Sequence, residues 1–178
     1  LVRAERRIGY DSARSKDLHG LVITERIPAR TGQHVLDAIG SFCEPLGLRQ
    51  DEVRWDLPVP AEAQDFAVSV LPGSRPTLLI SPCSSHALRN WRPERYAAVA
   101  AHAIERHGMR VILAGGPGAT ERAMAEAIQR HCPAPLVDQV GKDTLPQMLA
   151  LLSRATVLVS PDSGPVHMAT LVGLPVLG

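Results

Sequence analysis

The sequence predicts an α/β protein with a parallel sheet covered on both faces, and two observations carry that expectation. From Thr77 onward, short apolar runs bounded by turn residues alternate with longer stretches of helical spacing, joined by short connections. One of those runs, Thr156-Val157-Leu158-Val159, leads into Ser160-Pro161-Asp162-Ser163-Gly164-Pro165-Val166-His167. Ligands of open α/β sheets bind at such carboxyl-edge turns.

The elements follow in order. Arg6 to Tyr10 is expected to hold a strand end, and residues 11–30 are polar and rich in both charges. Gln33 to Glu44 is expected to be helical, with Val35, Leu36, Ile39 and Phe42 facing inward and Pro45 and Gly47 ending it. Residues 48–60 read as a linker carrying Pro58 and Pro60, and Ala61 to Leu71 as a weak helix. Pro72 to Pro76 is a turn into the first strand of the sheet.

Thr77-Leu78-Leu79-Ile80-Ser81, closed by Pro82, has the length and apolarity of a buried strand. Pro93-Glu94 opens a helix at a position where proline's missing N–H is harmless. Tyr96, Val99, Ala100, Ala103 and Ile104 share its buried face, and Gly108 ends it. Met109 to Ala114 is the second strand and Gly115-Gly116-Pro117-Gly118 a loop. A helix over 119–131 puts Met124, Ala127 and Ile128 on one face, and Cys132-Pro133 stops it. Pro135 to Gln139 is a short third strand. Asp143 or Thr144 caps a helix over 145–153 that shows Leu145, Met148, Leu149 and Leu152. Thr156 to Val159 is the fourth strand, a helix begins near Pro165, and Val176-Leu177 opens a fifth strand. Residues 61–178 thus read as a Rossmann-like domain, and residues 1–60 as the tail of another domain plus a linker.

Composition narrows the function classes. With 45% hydrophobic and 21% charged residues, the make-up is that of an ordinary globular protein. A formal net charge of +1 gives no bulk reason to bind nucleic acid. Cys43, Cys83 and Cys132 form no CxxC pair, which argues against a disulfide framework or zinc cage and suits a reducing, cytoplasmic compartment. No apolar run reaches the roughly 18 residues of a membrane span, while peripheral association with a membrane stays open. There is no Asp-x-Asp pair and the histidines are scattered, so no metal is expected. GxSxG is absent, and so is a GxGxxG unit with its acid, which argues against acyl hydrolysis and dehydrogenation. The chain starts at Leu1 without Met and stops at Gly178 within an apolar run, so it reads as a piece of a longer protein, cut at its C-terminus.

The turn at 160–167 is expected to seat a phosphate. Amides of Ser163, Gly164 and Val166 would point out of the helix start, and Gly164 lets a ligand approach the backbone. His167 lies one turn in, on the same face. A carboxylate beside a diphosphate repels it, so Asp162 suits sugar hydroxyls instead. The competing reading is that Asp162 or Ser163 only caps the helix and His167 is a core residue.

Four further places carry two readings each. In the loop Ser81 to Pro93, Ser84, Ser85 and Arg89 suit phosphate oxygens, or form a serine-rich turn with a solvent-facing arginine; Trp91 is expected to wedge at the helix start. Gly115 to Gly118 is a tight turn, or the floor of a base or ribose site. Lys142, in Gly141-Lys142-Asp143-Thr144, meets a phosphate or belongs to a purely structural turn. In the N-terminal segment, Arg3, Arg6, Arg7, Arg14, Lys16, Arg26 and Arg30 interleave with Glu5, Asp11, Asp17 and Glu25. That segment is a solvated loop or a surface for an acidic acceptor.

Taken in order, the motifs resemble those of glycosyltransferase family nine, the heptosyltransferases of lipopolysaccharide core synthesis. They are Ser84-Ser85 with Arg89-Asn90-Trp91-Arg92-Pro93, then Ala114-Gly115-Gly116-Pro117, Gly141-Lys142-Asp143-Thr144-Leu145, and Val159 to Ala169. Arg7-Ile8-Gly9-Tyr10-Asp11 and Gln33 to Asp37 resemble the stretch leading out of that family's first domain. The resemblance implies a GT-B fold, with an acceptor domain whose tail is 1–60 and a nucleotide-sugar donor domain at 61–178. It implies metal-independent, inverting transfer from ADP-heptose, as donor substrate rather than cofactor, to a lipid-linked saccharide at the inner face of the inner membrane. Donor-binding residues would be Ser84, Ser85 and Arg89 (where the family often has Lys), Lys142, Asp162, Ser163, Gly164 and His167. No catalytic residue is expected in this chain. The family's base is an Asp near the start of its N-terminal domain, and Asp11 and Asp17 lie too late to be that residue. A sheltered Glu after the Gly-x-Pro turn is replaced by Ala119 and Thr120. Another nucleotide-sugar enzyme such as an epimerase, or a non-catalytic nucleotide-binding module, are the alternative classes.

Overall fold

The computed structural model describes residues 3–49 and 54–178. The chain divides into two compact units, Leu1–Arg54 and Trp55–Gly178. Of the expected linker, residues 50–53 lie outside the described residues, and 54–60 are irregular.

In the first unit β1 (Ile8–Gly9) and β2 (Glu25–Arg26) pair in parallel. Two residues per strand make little ladder, so side chains hold the unit. Asp11, 5% exposed, accepts from the amides of Ala13 (3.0 Å) and Arg14 (3.3 Å) and from the Arg14 guanidinium. That guanidinium also donates to Gln33 Oε1 at 2.9 Å and to the Pro28 carbonyl at 3.0 Å. Arg14 holds the Asp11 carboxyl below its ordinary range against the upward push of burial. Arg6 pairs with Glu25 and Arg30 with Glu44, while Arg7 and Arg26 donate to the carbonyls of Val22 and Tyr10. The arginine-rich segment is largely exposed, with Arg3 and Lys16 at the surface, while Arg6, Arg7, Arg14, Arg26 and Arg30 also bind acceptors within this unit.

The helix expected over Gln33 to Glu44 is split and turned. α1 (Val35–Gly40) gives way to a 3-10 helix over Ser41–Leu46. Val35, Leu36 and Ile39 do not face inward; they are 69%, 40% and 56% exposed. Ser41 faces in, donating to the Asp37 carbonyl at 2.8 Å and accepting from Gln33 at 3.3 Å. Phe42 packs edge-on to Tyr10 with ring centres 5.1 Å apart. The two-stranded ribbon supplies no layer for the apolar side of α1, and the buried residue lies just past it, at Ser41.

The second unit alternates strand and helix throughout: α2 (Ala61–Val70), β3 (Thr77–Ile80), α3 (Pro93–His107), β4 (Arg110–Leu113), α4 (Ala119–His131), β5 (Val137–Asp138), α5 (Leu145–Arg154), β6 (Val157–Val159), α6 (Gly164–Leu171) and β7 (Val176–Leu177). β5 is shorter than the expected Pro135 to Gln139, since only Val137 and Asp138 pair, with Ile112 and Leu113. Proline has no N–H to extend that ladder.

The five strands run in the order β5-β4-β3-β6-β7, all parallel. Side chains alternate across the sheet. Leu79, Ile112 and Leu158 pack with α2, α5 and α6 on one face. Leu78, Ile80, Val111 and Leu113 pack with α3 and α4 on the other. Each such burial is worth about 1.5–3 kcal/mol, against roughly 0–1 kcal/mol for an exposed ion pair. Apolar packing therefore holds this unit.

The order reverses between β3 and β6, which places a crevice at their carboxyl ends. Beside it, two turns are locked together. Gly141, at φ +71°, donates to the Gly115 carbonyl at 2.9 Å, and a Cβ there would stand 2.9 Å from Pro117 Cα. Gly108 also has positive φ, but a Cβ on it would meet nothing within 4 Å. Gly141→Ala is expected to lower stability by about 1–3 kcal/mol, through backbone strain plus the displaced Pro117 turn. Gly108→Ala adds only the strain. Urea unfolding of the two variants checks this, and equal losses would contradict the Pro117 contact.

Candidate functional site

The loop after β3 is built from inside. Ser81 continues the ladder by donating to the Val159 carbonyl at 3.0 Å. Tyr96, buried on α3, reaches the Pro82 carbonyl at 3.4 Å and packs edge-on to Trp91 at 5.6 Å. Trp91 thus wedges at the helix start as expected. Asn90 Oδ1 accepts from the Ser84 amide at 2.7 Å. The Ser84 hydroxyl closes a local turn, accepting from the His86 amide at 3.2 Å and donating to the His86 carbonyl at 3.1 Å. Ser85 is exposed at the tip. Arg89 does not point idly to solvent: its guanidinium meets Asp162 Oδ2 at 2.7 Å.

Asp162 belongs to the turn after β6, so this ion pair bridges the crevice between β3 and β6. Ser163 is the residue before α6, in extended conformation, and its side chain does not cap the helix. Its hydroxyl lies 2.9 Å from that of the buried Ser160. His167 is exposed, which sets aside its reading as a core residue. One expectation needs correcting: the Val166 amide is not free, because it donates to the Ser163 carbonyl at 3.1 Å. Pro165 has no N–H, so among the described residues the amides of Ser163 and Gly164 are the unbonded donors of this helix start. A Cβ on Gly164 would meet nothing within 4 Å, so open space adjoins the backbone there.

Two cavities flank this turn. One, of about 470 Å³, is lined by Arg89, Trp91, Tyr96, Ser160 and Pro161 among others. The other, of about 330 Å³, is lined by Gly115, Gly116, Asp143, Met148, Gly164 and Met168 among others. The Gly115 to Gly118 turn therefore does wall a cavity, beside the α6 start. Lys142 is in the adjacent turn, but its amine folds back onto the Asp138 carbonyl at 2.6 Å. Gln147 Oε1 accepts from the Thr144 amide at 2.8 Å, so Thr144 is the residue that opens α5.

Two residues of the site escaped the sequence reading. Burial pushes the Asp143 carboxyl up, its own amide pulling weakly against that, and its Oδ2 is buried with no partner. The Glu121 carboxylate folds over the Gly116–Gly118 turn, reaching the space beside Gly118. Its position three residues past Gly118, in the first turn of α4, is the signal that marks it. Cys83, in the loop after β3, has its thiol pushed up by burial and then by Glu121.

A parallel sheet whose reversal crevice is lined by an arginine, hydroxyls, a carboxylate and a helix start defines a Rossmann-like ligand-binding domain. Over residues 1–178 the chain matches the model of glycosyltransferase family 9 (heptosyltransferase), and it belongs to that family. It is 37% identical over 177 residues to the lipopolysaccharide core heptosyltransferase OpsX of Haemophilus influenzae, covering 99% of this chain and 51% of that protein. A family 9 glycosyl transferase from Veillonella parvula superposes with a TM-score of 0.77 at 23% identity, over 97% of this chain and 50% of that one. The E. coli heptosyltransferase WaaC with ADP-2-deoxy-2-fluoro heptose gives 0.68 at 19% identity, over 96% and 53%. These two likenesses show the α/β fold of the GT-B heptosyltransferases. The chain spans about half the length of OpsX.

The open space at Gly164 generates a test. Gly164→Ala is expected to leave the melting temperature unchanged, since its Cβ touches nothing, while weakening any anion held at the α6 start. A thermal melt paired with an ADP titration separates the two effects. A large drop in melting temperature would show that Gly164 serves packing instead.

Proposed function

We propose that this chain is the donor-binding half of a metal-independent, inverting heptosyltransferase that takes heptose from ADP-heptose to the lipopolysaccharide inner core. The observation that carries the donor role is the convergence of Arg89, Asp162 and the α6 start on the crevice where the strand order reverses. Family membership and the name of OpsX support the reaction class. The ligand named with WaaC supports the donor.

In this reading the amides of Ser163 and Gly164, His167 and Arg89 meet the diphosphate, with Ser84 and Ser85 at its edge. Ser84 and Lys142 first release their present partners, the His86 backbone and the Asp138 carbonyl. Asp162 takes sugar hydroxyls. The cavity between Gly115 and Met148 holds the base or ribose, with Glu121 and Asp143 as acceptors. An acceptor hydroxyl attacks the anomeric carbon, the new C–O bond forms as the bond to the diphosphate breaks, and ADP leaves. Fixed donors on the diphosphate stabilise the charge that develops on it. The base that takes the hydroxyl's proton is assigned to the half of the enzyme outside the stretch matched here, because Asp11 is fully engaged by Arg14 and by backbone amides. Among the described residues no helix is long and apolar enough to cross a membrane. In this reading the enzyme works at the cytoplasmic face of the inner membrane and meets its lipid-linked acceptor peripherally. No observation favours an epimerase or a non-catalytic module.

Calorimetry with ADP tests the reading. Binding is expected, weakened about three- to tenfold by His167→Ala through loss of one hydrogen bond to an anion. The chain alone is expected to transfer no heptose. ADP binding that is absent, or identical in the variant, would overturn the assignment.

A further inference from the structure

We infer that Asp162 favours a sugar-bearing diphosphate over a bare one, by competing for Arg89. The inference rests on the donor-site reading above and concerns how that site tells donor from product. Arg89 Nη1 and Asp162 Oδ2 are 2.7 Å apart, and the pair joins the loop after β3 to the turn after β6. Neither side chain has another ionic or hydrogen-bonding partner among the described residues. Both are reachable, at 49% and 68% side-chain exposure.

Each member of the pair stands in for what a ligand would offer the other. Asp162 gives Arg89 an anionic oxygen, as a phosphate would. Arg89 gives Asp162 N–H donors, as sugar hydroxyls would give O–H donors. Asp162 also sets a negative charge two residues before Gly164, whose amide faces the anion. A nucleoside diphosphate without sugar must take Arg89 from Asp162, and it leaves that carboxylate unpaired beside its own charge. A sugar diphosphate makes the same exchange but returns hydroxyls to Asp162. The pair thus works against the bare diphosphate and spares the sugar-bearing one. It favours release of the product after transfer.

The test is titration of the whole chain with ADP and with ADP-heptose. In Asp162→Asn the competing charge is gone, so ADP is expected to bind about two- to fivefold tighter, the scale of an exposed ion pair. ADP-heptose is expected to bind about tenfold weaker, having lost charged hydrogen bonds to its hydroxyls. Adding Arg89→Gln to Asp162→Asn is expected to abolish the ADP gain. If ADP binds Asp162→Asn no better than wild type, or the gain survives in the double variant, the exchange is overturned while the donor site stands. If wild type binds neither ligand, the donor-site reading fails and the exchange with it. The pair is solvent-exposed, so the variants are expected to melt like wild type; Asp162→Ser provides a second neutral replacement if Asp162→Asn does not.

Discussion

β3 pairs in parallel on both of its edges, with β4 and with β6, and is buried on both faces. No polar backbone group of a central strand can be left for water, so neighbours on each side are obligatory. Parallel neighbours in turn require helices to cross back over the sheet. With α3 and α4 on one face and α2, α5 and α6 on the other, connections after the strands collect at the carboxyl edge. Arg89 and Asp162, 73 residues apart in sequence, meet because the strands before them are neighbours in the ladder.

The first unit shows the opposite economy. With two short strands it has little ladder, and Arg6, Arg7, Arg14 and Arg26 each satisfy more than one acceptor. Arg14 alone serves Asp11, Gln33 and Pro28. A fixed fork of five donors makes this feasible where lysine's single ammonium would not. The arginine-rich composition, read from sequence as surface character, is here structural mortar.

Much of the second unit was legible in the sequence, because periodicity and punctuation agree there. Pro93 and Gly108 bracket α3, and alternating apolar residues of β3 and β4 point to opposite faces as spacing requires. The carboxyl-edge position of Ser84, Arg89, Asp162 and Gly164 followed from strand order alone. What spacing could not give was side-chain commitment. That Arg89 seeks Asp162, Lys142 turns to Asp138, and Val166 donates to Ser163 are choices made by three-dimensional proximity. Glu121 is not legible as part of the glycine turn, because only the helix brings a residue three positions later back over it. The apolar spacing of α1 did not predict its face, because in this unit a two-stranded ribbon offers no layer to cover Val35, Leu36 and Ile39.

Pro165 sits second in α6, and Val166 spends its amide locally, so the helix start offers two backbone donors where an uninterrupted start offers four. A seat this sparse grips an isolated inorganic ion feebly. In the proposed donor site, strength would come from chelation, with one molecule anchored at several points so that each anchor raises the local concentration of the next. Fragments of such a ligand would each bind poorly, and linking them would gain far more than their separate affinities suggest.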